Sequence, residues 1–250
     1  MLVEELYSSY FDVKCNRLPY SNDREYLTDL LAFLDIILNV ACAYKGMNES
    51  SAPLNISDAH LRGLSISPAD IVDSLLSYRL DERSRGVSPA IKRQVEIARQ
   101  HLEQRLGASS AVGFIPRVEL LSKKFRLNDF ERFLLLLSLA VAADRKYESI
   151  YAFLHNNVKE RQPTKGMAVS LYKMFFGIED YHIGRAIKGE GNLFRFLAES
   201  RTGSTGESGL ADRIVLSRRV SSFIFGVNRI DHELAEIAYI FDRSERLDGI

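Results

Sequence analysis

The stretch Asn192-Leu-Phe-Arg-Phe-Leu-Ala-Glu-Ser-Arg-Thr-Gly-Ser-Thr-Gly-Glu-Ser-Gly-Leu-Ala-Asp-Arg-Ile-Val-Leu-Ser-Arg-Arg-Val220 decides the fold of this chain. Its two ends, Asn192–Glu199 and Asp212–Val220, are rich in branched and aromatic side chains, a composition typical of β-strands. Residues 200–209 between them are polar and glycine-rich, as in a flexible turn. The stretch therefore predicts a β-hairpin over residues 192–220 with a long tip.

The residues before the hairpin predict a series of helices. Asn22 with Glu25, and Asn128 with Glu131, have the spacing of a capping box ahead of an apolar run. Serine–proline pairs mark the start of the second and third helices, and Gly107 is expected to end the third. A polar loop is expected over residues 45–55. The predicted helices, in chain order, are 22–44, 68–80, 89–106, 118–125, 129–143, 146–156, 164–176 and 180–188.

Short helices followed by two strands with a long tip have the order of elements found in a winged helix. The predicted fold class is therefore mainly α with a small β-hairpin. We place a domain boundary at the glycine that ends the third helix. The prediction is an N-terminal helical subdomain over residues 1–107 and a winged-helix-like domain over residues 108–250.

The composition predicts a cytoplasmic protein with no global attraction to nucleic acid or membrane. Lys plus Arg and Asp plus Glu each number 33, so the net charge is zero. The two cysteines, Cys15 and Cys42, have no partner at metal-ligand spacing, which favours reduced thiols. Glu4 and Glu5 stand where a secretory signal would be basic. The longest apolar runs, 30–43 and 133–143, are shorter than the roughly 20 residues that span a bilayer.

No motif in the sequence predicts catalysis, a cofactor or a metal site. The segment Gly184–Gly191 has the two glycines of a phosphate loop, but Glu190 stands where that loop needs a lysine. A carboxylate there repels phosphate, so we expect a helix end that leads into the first strand. The five histidines are scattered, with no acid at triad or metal-ligand spacing.

The basic and glycine residues around the hairpin are the candidate contact residues. They leave three interpretations open: a solvated hairpin that keeps an exposed edge soluble, contact with a partner protein, and contact with nucleic acid, which the neutral charge disfavours. The helix Thr164–Phe176 is the candidate recognition helix, but its mostly apolar side chains favour packing over groove reading. The candidate contact residues are Lys165, Lys173, Arg195, Arg201, Gly203, Gly206, Gly209, Arg213, Arg218 and Arg219.

Several segments together resemble a known family. They are Leu61–Leu76, Val118–Ala140, Asp144–Asn156, Gln162–Leu171 and Leu216–Gly226. From about Ser88 to Phe241 the chain resembles the winged-helix region that precedes the ATPase domain in a group of bacterial AAA+ ATPases, including those found with contractile injection systems. The last segment is similar to the return strand and following helix of that family, and the first to its shorter helical element.

The resemblance implies a non-catalytic regulatory or partner-docking region. The ATPase core of such a protein would lie after Ile250, so ATP and magnesium are expected only for that missing domain. The implied partners are a protein partner or substrate of the ATPase and its own AAA+ domain. The alternative is a DNA-binding winged-helix protein acting in transcription, in which Lys165, Lys173, Arg218 and Arg219 contact phosphates.

Overall fold

The computed structural model describes residues 18–49, 87–177, 180–201 and 209–227. These ranges contain helices from one end to the other and a single antiparallel hairpin, which confirms the predicted fold class. The elements, in chain order, are α1 (Asp23–Glu49), α2 (Pro89–Ala111), α3 (Arg117–Lys124), α4 (Asp129–Ala143), α5 (Lys146–His155), α6 (Lys165–Phe176), α7 (Asp180–Ile187), α8 (Asn192–Phe196), β1 (Ala198–Arg201), β2 (Arg213–Leu216) and α9 (Arg218–Ile224).

Helix α1 begins where the capping pattern predicts but ends later. The side chain of Asn22 accepts a hydrogen bond from the amide of Glu25 at 2.9 Å. The helix continues to Glu49, so the predicted loop over residues 45–55 is wrong at its start. Lys45 donates to the carbonyls of Phe153 (2.6 Å) and Leu154 (3.0 Å), a tertiary contact that holds this end of the helix to α5. The predicted helix 68–80 lies outside the described residues.

Helix α2 continues through Gly107, so the predicted end at this glycine is wrong. The next turn is tied to the core, because the buried hydroxyl of Ser109 accepts from the amide of Tyr20 at 2.7 Å and donates to the carbonyl of Arg105. Such contacts outweigh the cost of a helical glycine, about 1 kcal/mol relative to alanine. The chain turns instead at Gly113, where φ is +85°.

Helix α4 is the centre of the core. Its side chains from Phe133 to Ala140 are all buried, and α1, α5, α6, α8 and β2 pack around it. Residue 107, where the sequence analysis divides the chain, lies inside α2, and described residues on both sides of it belong to one hydrophobic cluster. The division into two domains stays a prediction.

Helix α1 is the one described helix that is long and apolar enough to cross a membrane, over Asp23–Lys45. Leu34, Ile37 and Leu38 are fully buried in the core cluster with residues of the other helices. The apolar face of α1 is therefore used in internal packing.

The hairpin is shorter than predicted. In β1 and β2, Ala198 pairs with Leu216 and Arg201 pairs with Arg213. The prediction of a strand from Asn192 is wrong, because residues 192–196 form α8. The strand predicted to reach Val220 also ends early, because the side chain of Ser217 accepts from the amide of Val220 and begins α9.

The strand β2 has a second neighbour on its other edge. Thr164 forms an antiparallel bridge with Arg213, and the amide of Ile214 donates to the carbonyl of Pro163 at 2.8 Å. The short segment before α6 therefore acts as a minimal third strand. This arrangement fixes the hairpin against the N-terminus of α6.

Candidate interaction surface

Helices α6 and α7 follow each other in the chain, which is the order of helices found in a helix-turn-helix. Only the three residues Gly177–Glu179 separate them, and the hairpin follows α7 and α8. Because the second helix of a helix-turn-helix enters the DNA groove, this order makes α7 a second candidate for the recognition helix. The assignment of Thr164–Phe176 as recognition helix stays a prediction. The packing predicted for it is confirmed, since Ala168, Leu171 and Phe175 of α6 are buried.

A buried ion pair lies at the loop end of the hairpin, where the strands enter the tip. Lys165 Nζ lies 2.9 Å from Asp212 Oδ2, and the same carboxylate oxygen accepts from the hydroxyl of Ser200 (2.8 Å) and the amide of Gly209 (3.2 Å). Lys165 also donates to the carbonyl of Ile187 at 2.7 Å. The prediction of Lys165 as a surface contact is corrected by this arrangement, because its ammonium group joins α6, α7 and both arms of the hairpin.

The first turn of α6 completes this closure. The amides of Lys165 and Gly166 donate to the carbonyls of Asp212 (2.9 Å) and Leu210 (2.7 Å), and the side chain of Thr164 accepts from Met167. Helix N-termini leave such amides without an intrahelical partner. Here the returning arm of the hairpin supplies the acceptors, and Leu210 packs so closely that a Cβ at Gly166 would lie 3.1 Å from its carbonyl oxygen.

The two arginines of the strands are paired with acids. Arg201 and Arg213 face each other across the hairpin, an arrangement of like charges that is destabilising by itself. Arg213 forms a two-pronged contact with the carboxylate of Glu160 at 2.6 and 2.8 Å, which raises the pKa of Arg213. Arg201 binds Glu199 on its own strand at 3.1 Å. Both charges are therefore locally compensated.

The other candidate residues are more dispersed. Arg195, Arg218, Arg219 and Lys173 are exposed, but Lys173 lies eight residues beyond Lys165 on α6, or about 12 Å along its axis. Arg218 and Arg219 begin α9, which packs on α3. Gly203 and Gly206 lie outside the described residues. The structure thus gathers Lys165, Arg201, Gly209 and Arg213 at the loop end of the hairpin.

The comparison with protein families agrees with this architecture. The model of the family described as Winged helix domain, variant, matches residues 12–238. The chain belongs to this winged-helix family. The matched region includes all the helices described above and the hairpin, which corresponds to the wing. Neither a comparison with curated proteins nor one with solved structures gives a match.

The sequence patterns do not predict the acidic residues that pair with the basic side chains of the wing. Lys165 forms an ion pair with Asp212, and Arg213 forms one with Glu160. The partners in each pair are 47 or more positions apart, and no spacing pattern relates residues that are so distant in sequence. Glu131 was recognised as a helix cap, and it does accept from the amide of Asn128. Its second oxygen accepts from the amide of Leu193 at 3.0 Å, so it also holds the start of α8.

The segment Gly184–Gly191 has no phosphate-binding form. Gly184 lies within α7 and is preceded by helix rather than strand, and Gly191 precedes α8. A Cβ at Gly191 would lie 2.5 Å from Glu131 Oε1. The close approach of the Glu131 carboxylate therefore explains why residue 191 is a glycine. The expected passage into the first strand is interrupted by α8.

A cleft of about 520 Å³ lies between α1, α2, α3, α4 and α6 of the winged helix. Its wall includes the buried carboxylate of Glu119, which accepts from the hydroxyl of Tyr26 at 2.6 Å and from the guanidinium of Arg132. Burial, reinforced by the Glu119 charge, raises the pKa of Tyr26 well above its ordinary value. Among the described residues, no three His, Cys, Asp or Glu side chains are placed to hold a metal ion. This group is a satisfied structural network.

Proposed function

We propose that this winged helix is a non-catalytic module that docks onto a partner protein. The pairing of the wing's basic residues is the observation that carries the proposal. Lys165 is buried on Asp212, Arg213 lies on Glu160 and Arg201 lies on Glu199. Binding to DNA depends on cations that neutralise phosphates and release counterions. Because these three charges are already compensated, this part of the wing is better suited to contact a protein surface than a phosphate backbone.

The architecture of the recognition position supports the same proposal. Helix α6 packs its apolar face on the core. Helix α7 contains a single arginine, Arg185. Groove-reading helices present several polar and basic side chains to base edges. Leu210, at the loop end of the hairpin, instead leaves about half of its surface exposed. An apolar side chain beside compensated charges is typical of protein interfaces.

We further propose that the module is the regulatory N-terminal region of a bacterial AAA+ ATPase and acts in the cytoplasm. This step rests on the resemblance over Ser88–Phe241, together with membership of the winged-helix family. In such a protein the wing faces a partner or substrate, while a following domain binds ATP and magnesium and performs the hydrolysis.

The coding sequence that follows codon 250 tests the ATPase assignment. A strand followed by a phosphate loop is expected there, and a stop codon or an unrelated domain would remove the assignment. If the loop is present, the separately expressed downstream domain is assayed for ATP hydrolysis with and without this chain. A rate that changes at least about threefold on addition of the chain supports regulation; an unchanged rate contradicts it.

Duplex DNA tests the alternative function. The exposed pair Arg218 and Arg219 is the observation that favours it. In a low-salt gel-shift titration we expect no retardation of duplex DNA by the wild-type chain. A shift that disappears in the variant Arg218→Glu with Arg219→Glu, and weakens steeply as salt rises, would establish DNA binding and overturn the docking proposal.

A further inference from the structure

The C-terminal end of α3 and the helix α8 meet in a cluster of exposed basic and aromatic side chains. The rings of Phe125 and Phe196 have centroids 5.2 Å apart, and the side chain of Asn192 donates to the carbonyl of Arg126 at 3.4 Å. The guanidinium of Arg195 lies over the Phe196 ring at 5.2 Å. We name this cluster the basic–aromatic patch; its members are Lys124, Phe125, Arg126, Arg195 and Phe196.

The aromatic part of the patch faces outward. Phe196 leaves 50% of its surface exposed, although neighbouring side chains of α8 and the wing, such as Leu193 and Leu197, are buried. Single exposed apolar residues are ordinary on protein surfaces. A phenylalanine pair with an arginine guanidinium over one ring is less ordinary, because aromatic residues and arginine are the types enriched at the centres of protein interfaces.

Within the part of the chain that the structure describes, the charges of the patch lack an acidic partner. Lys124, Arg126 and Arg195 are all exposed, and none of them has the carboxylate of a described residue within ion-pair distance. The wing arginines, by contrast, each lie on a glutamate. Lys124 suits the C-terminal dipole of α3, but this does not account for the arginines. Three positive charges that no described carboxylate compensates, on a chain of zero net charge, favour an acidic partner.

The ring geometry favours a protein over a nucleic acid. Proteins that bind single strands offer open aromatic faces on which bases stack. In this patch Phe125 and the guanidinium of Arg195 already cover part of the Phe196 ring. The remaining exposed surface suits contact with an aliphatic or aromatic side chain, with acids placed around it.

We propose that the basic–aromatic patch binds an acidic segment of a partner protein through one or two apolar side chains that contact Phe196. This proposal rests on the docking function proposed above and names the surface and the chemistry of the partner.

The probe is a fluorescein-labelled 15-residue peptide with glutamates on one helical face and leucine and phenylalanine on the other. We expect it to bind the wild-type chain in an anisotropy titration at low salt. The charge reversal Lys124→Glu with Arg195→Glu, and separately Phe196→Ser, should each weaken binding at least about tenfold. Peptides in which every glutamate is glutamine, or every apolar residue is serine, should bind at least about tenfold more weakly than the probe.

The matched control is Lys92→Glu with Arg93→Glu. It makes the same change of charge at two exposed residues of the first turn of α2, and we expect the probe to bind it within about twofold of wild type. Circular dichroism melting establishes that each variant is folded; the charge reversal involves exposed side chains only, so it keeps the test available if Phe196→Ser is unstable.

Two results would overturn the proposal. One is that the peptide does not bind, or that the control variant weakens its binding as much as the patch variant does. The other is a fifteen-nucleotide oligo-dT that binds more tightly than the peptide and loses affinity in the patch variant, which would assign the patch to single-stranded nucleic acid. If the downstream ATPase domain still responds to the chain in either case, the docking function is retained and a different surface performs it.

Discussion

Lys165 Nζ lies 2.9 Å from Asp212 Oδ2, and each side chain is only 2% exposed. The two residues are 47 positions apart, one at the first turn of α6 and the other just before β2. The pair is satisfied by further hydrogen bonds to Ser200, Gly209 and Ile187. The buried charge pair therefore acts together with the backbone hydrogen bonds that hold the wing on α6.

Lys165→Met is expected to destabilise the fold strongly. Removal of the ammonium group leaves the carboxylate of Asp212 buried without its counter-ion, and breaking a buried pair in this way costs about 3–5 kcal/mol of the free energy of unfolding. Urea denaturation monitored by circular dichroism measures the loss. Lys173→Met is the control, since Lys173 is exposed on the same helix and should change stability by less than about 0.5 kcal/mol. Equal effects of the two variants would contradict the role of the pair.

Gly191→Ala and Gly184→Ala are expected to change stability in opposite directions. The Cβ of alanine at 191 would lie 2.5 Å from Glu131 Oε1 and displace the carboxylate from the amide of Leu193, at a cost of about 1–3 kcal/mol. At 184, within α7, a Cβ contacts nothing within 4 Å, so alanine should stabilise by up to about 1 kcal/mol. Thermal melting of the two variants beside wild type decides the point, and a melting temperature of Gly191→Ala at or above wild type would be inconsistent with the contact.

Tyr26→Phe is expected to cost more than the same change at Tyr44. The Tyr26 hydroxyl donates to the buried carboxylate of Glu119, and hydrogen bonds to charged groups contribute about 1.5–3 kcal/mol. The Tyr44 hydroxyl only accepts from the amide of Ser88 at 3.2 Å, a neutral bond worth about 0.5–1.5 kcal/mol. Chemical denaturation of both variants gives the comparison. A smaller loss at Tyr26 would show that Arg132 alone satisfies the carboxylate.

The stability of the fold is expected to fall as pH drops through the imidazole range. Burial lowers the pKa of His155, and the hydrogen bond from its ring to the carbonyl of Gln162 only partly opposes this effect. The unfolded chain, whose histidine titrates near its ordinary pKa of about 6.5, then binds more protons than the folded chain. The stabilising contribution is therefore present above pH of about 6.5 and is lost as pH falls through the folded pKa.

His155→Gln tests this dependence, because glutamine can keep a hydrogen bond to the carbonyl without titrating. Urea denaturation at pH 7.5 and 5.5 should show a smaller loss of stability at the lower pH in the variant than in wild type. His101, whose pKa burial and the nearby Arg105 also lower, adds a dependence of the same sign that remains in the variant. An identical pH dependence of wild type and variant would exclude a contribution from His155.

The helices were predictable because their signals are local. Asn128 and Glu131 form the capping box that their spacing indicates, and Thr164 caps α6 through the amide of Met167. The apolar run of α4 is long and uniform, which correctly indicated a buried helix. Each of these features depends on atoms within one or two turns of the chain.

The errors arose where contacts distant in sequence compete with local preference. Gly107 suggested a helix end, but the hydrogen bond from Tyr20 to Ser109 keeps the next turn helical. Residues 192–196 have the composition of a strand, yet the carboxylate of Glu131 receives the amide of Leu193 and favours a helical turn there. A sequence pattern does not predict such partners, because residues that are distant in sequence come into contact only when the chain has folded.

The sequence by itself determined a mainly helical chain with caps, breaks and one hairpin, because backbone hydrogen bonding and apolar periodicity act over a few residues. Only the tertiary structure decided which basic residues face solvent. Lys165 was indistinguishable from Lys173 in the sequence, but Asp212 buries the first and leaves the second exposed. A buried charge needs a counter-charge and hydrogen bonds at short range, and those groups come from parts of the chain that folding alone brings together.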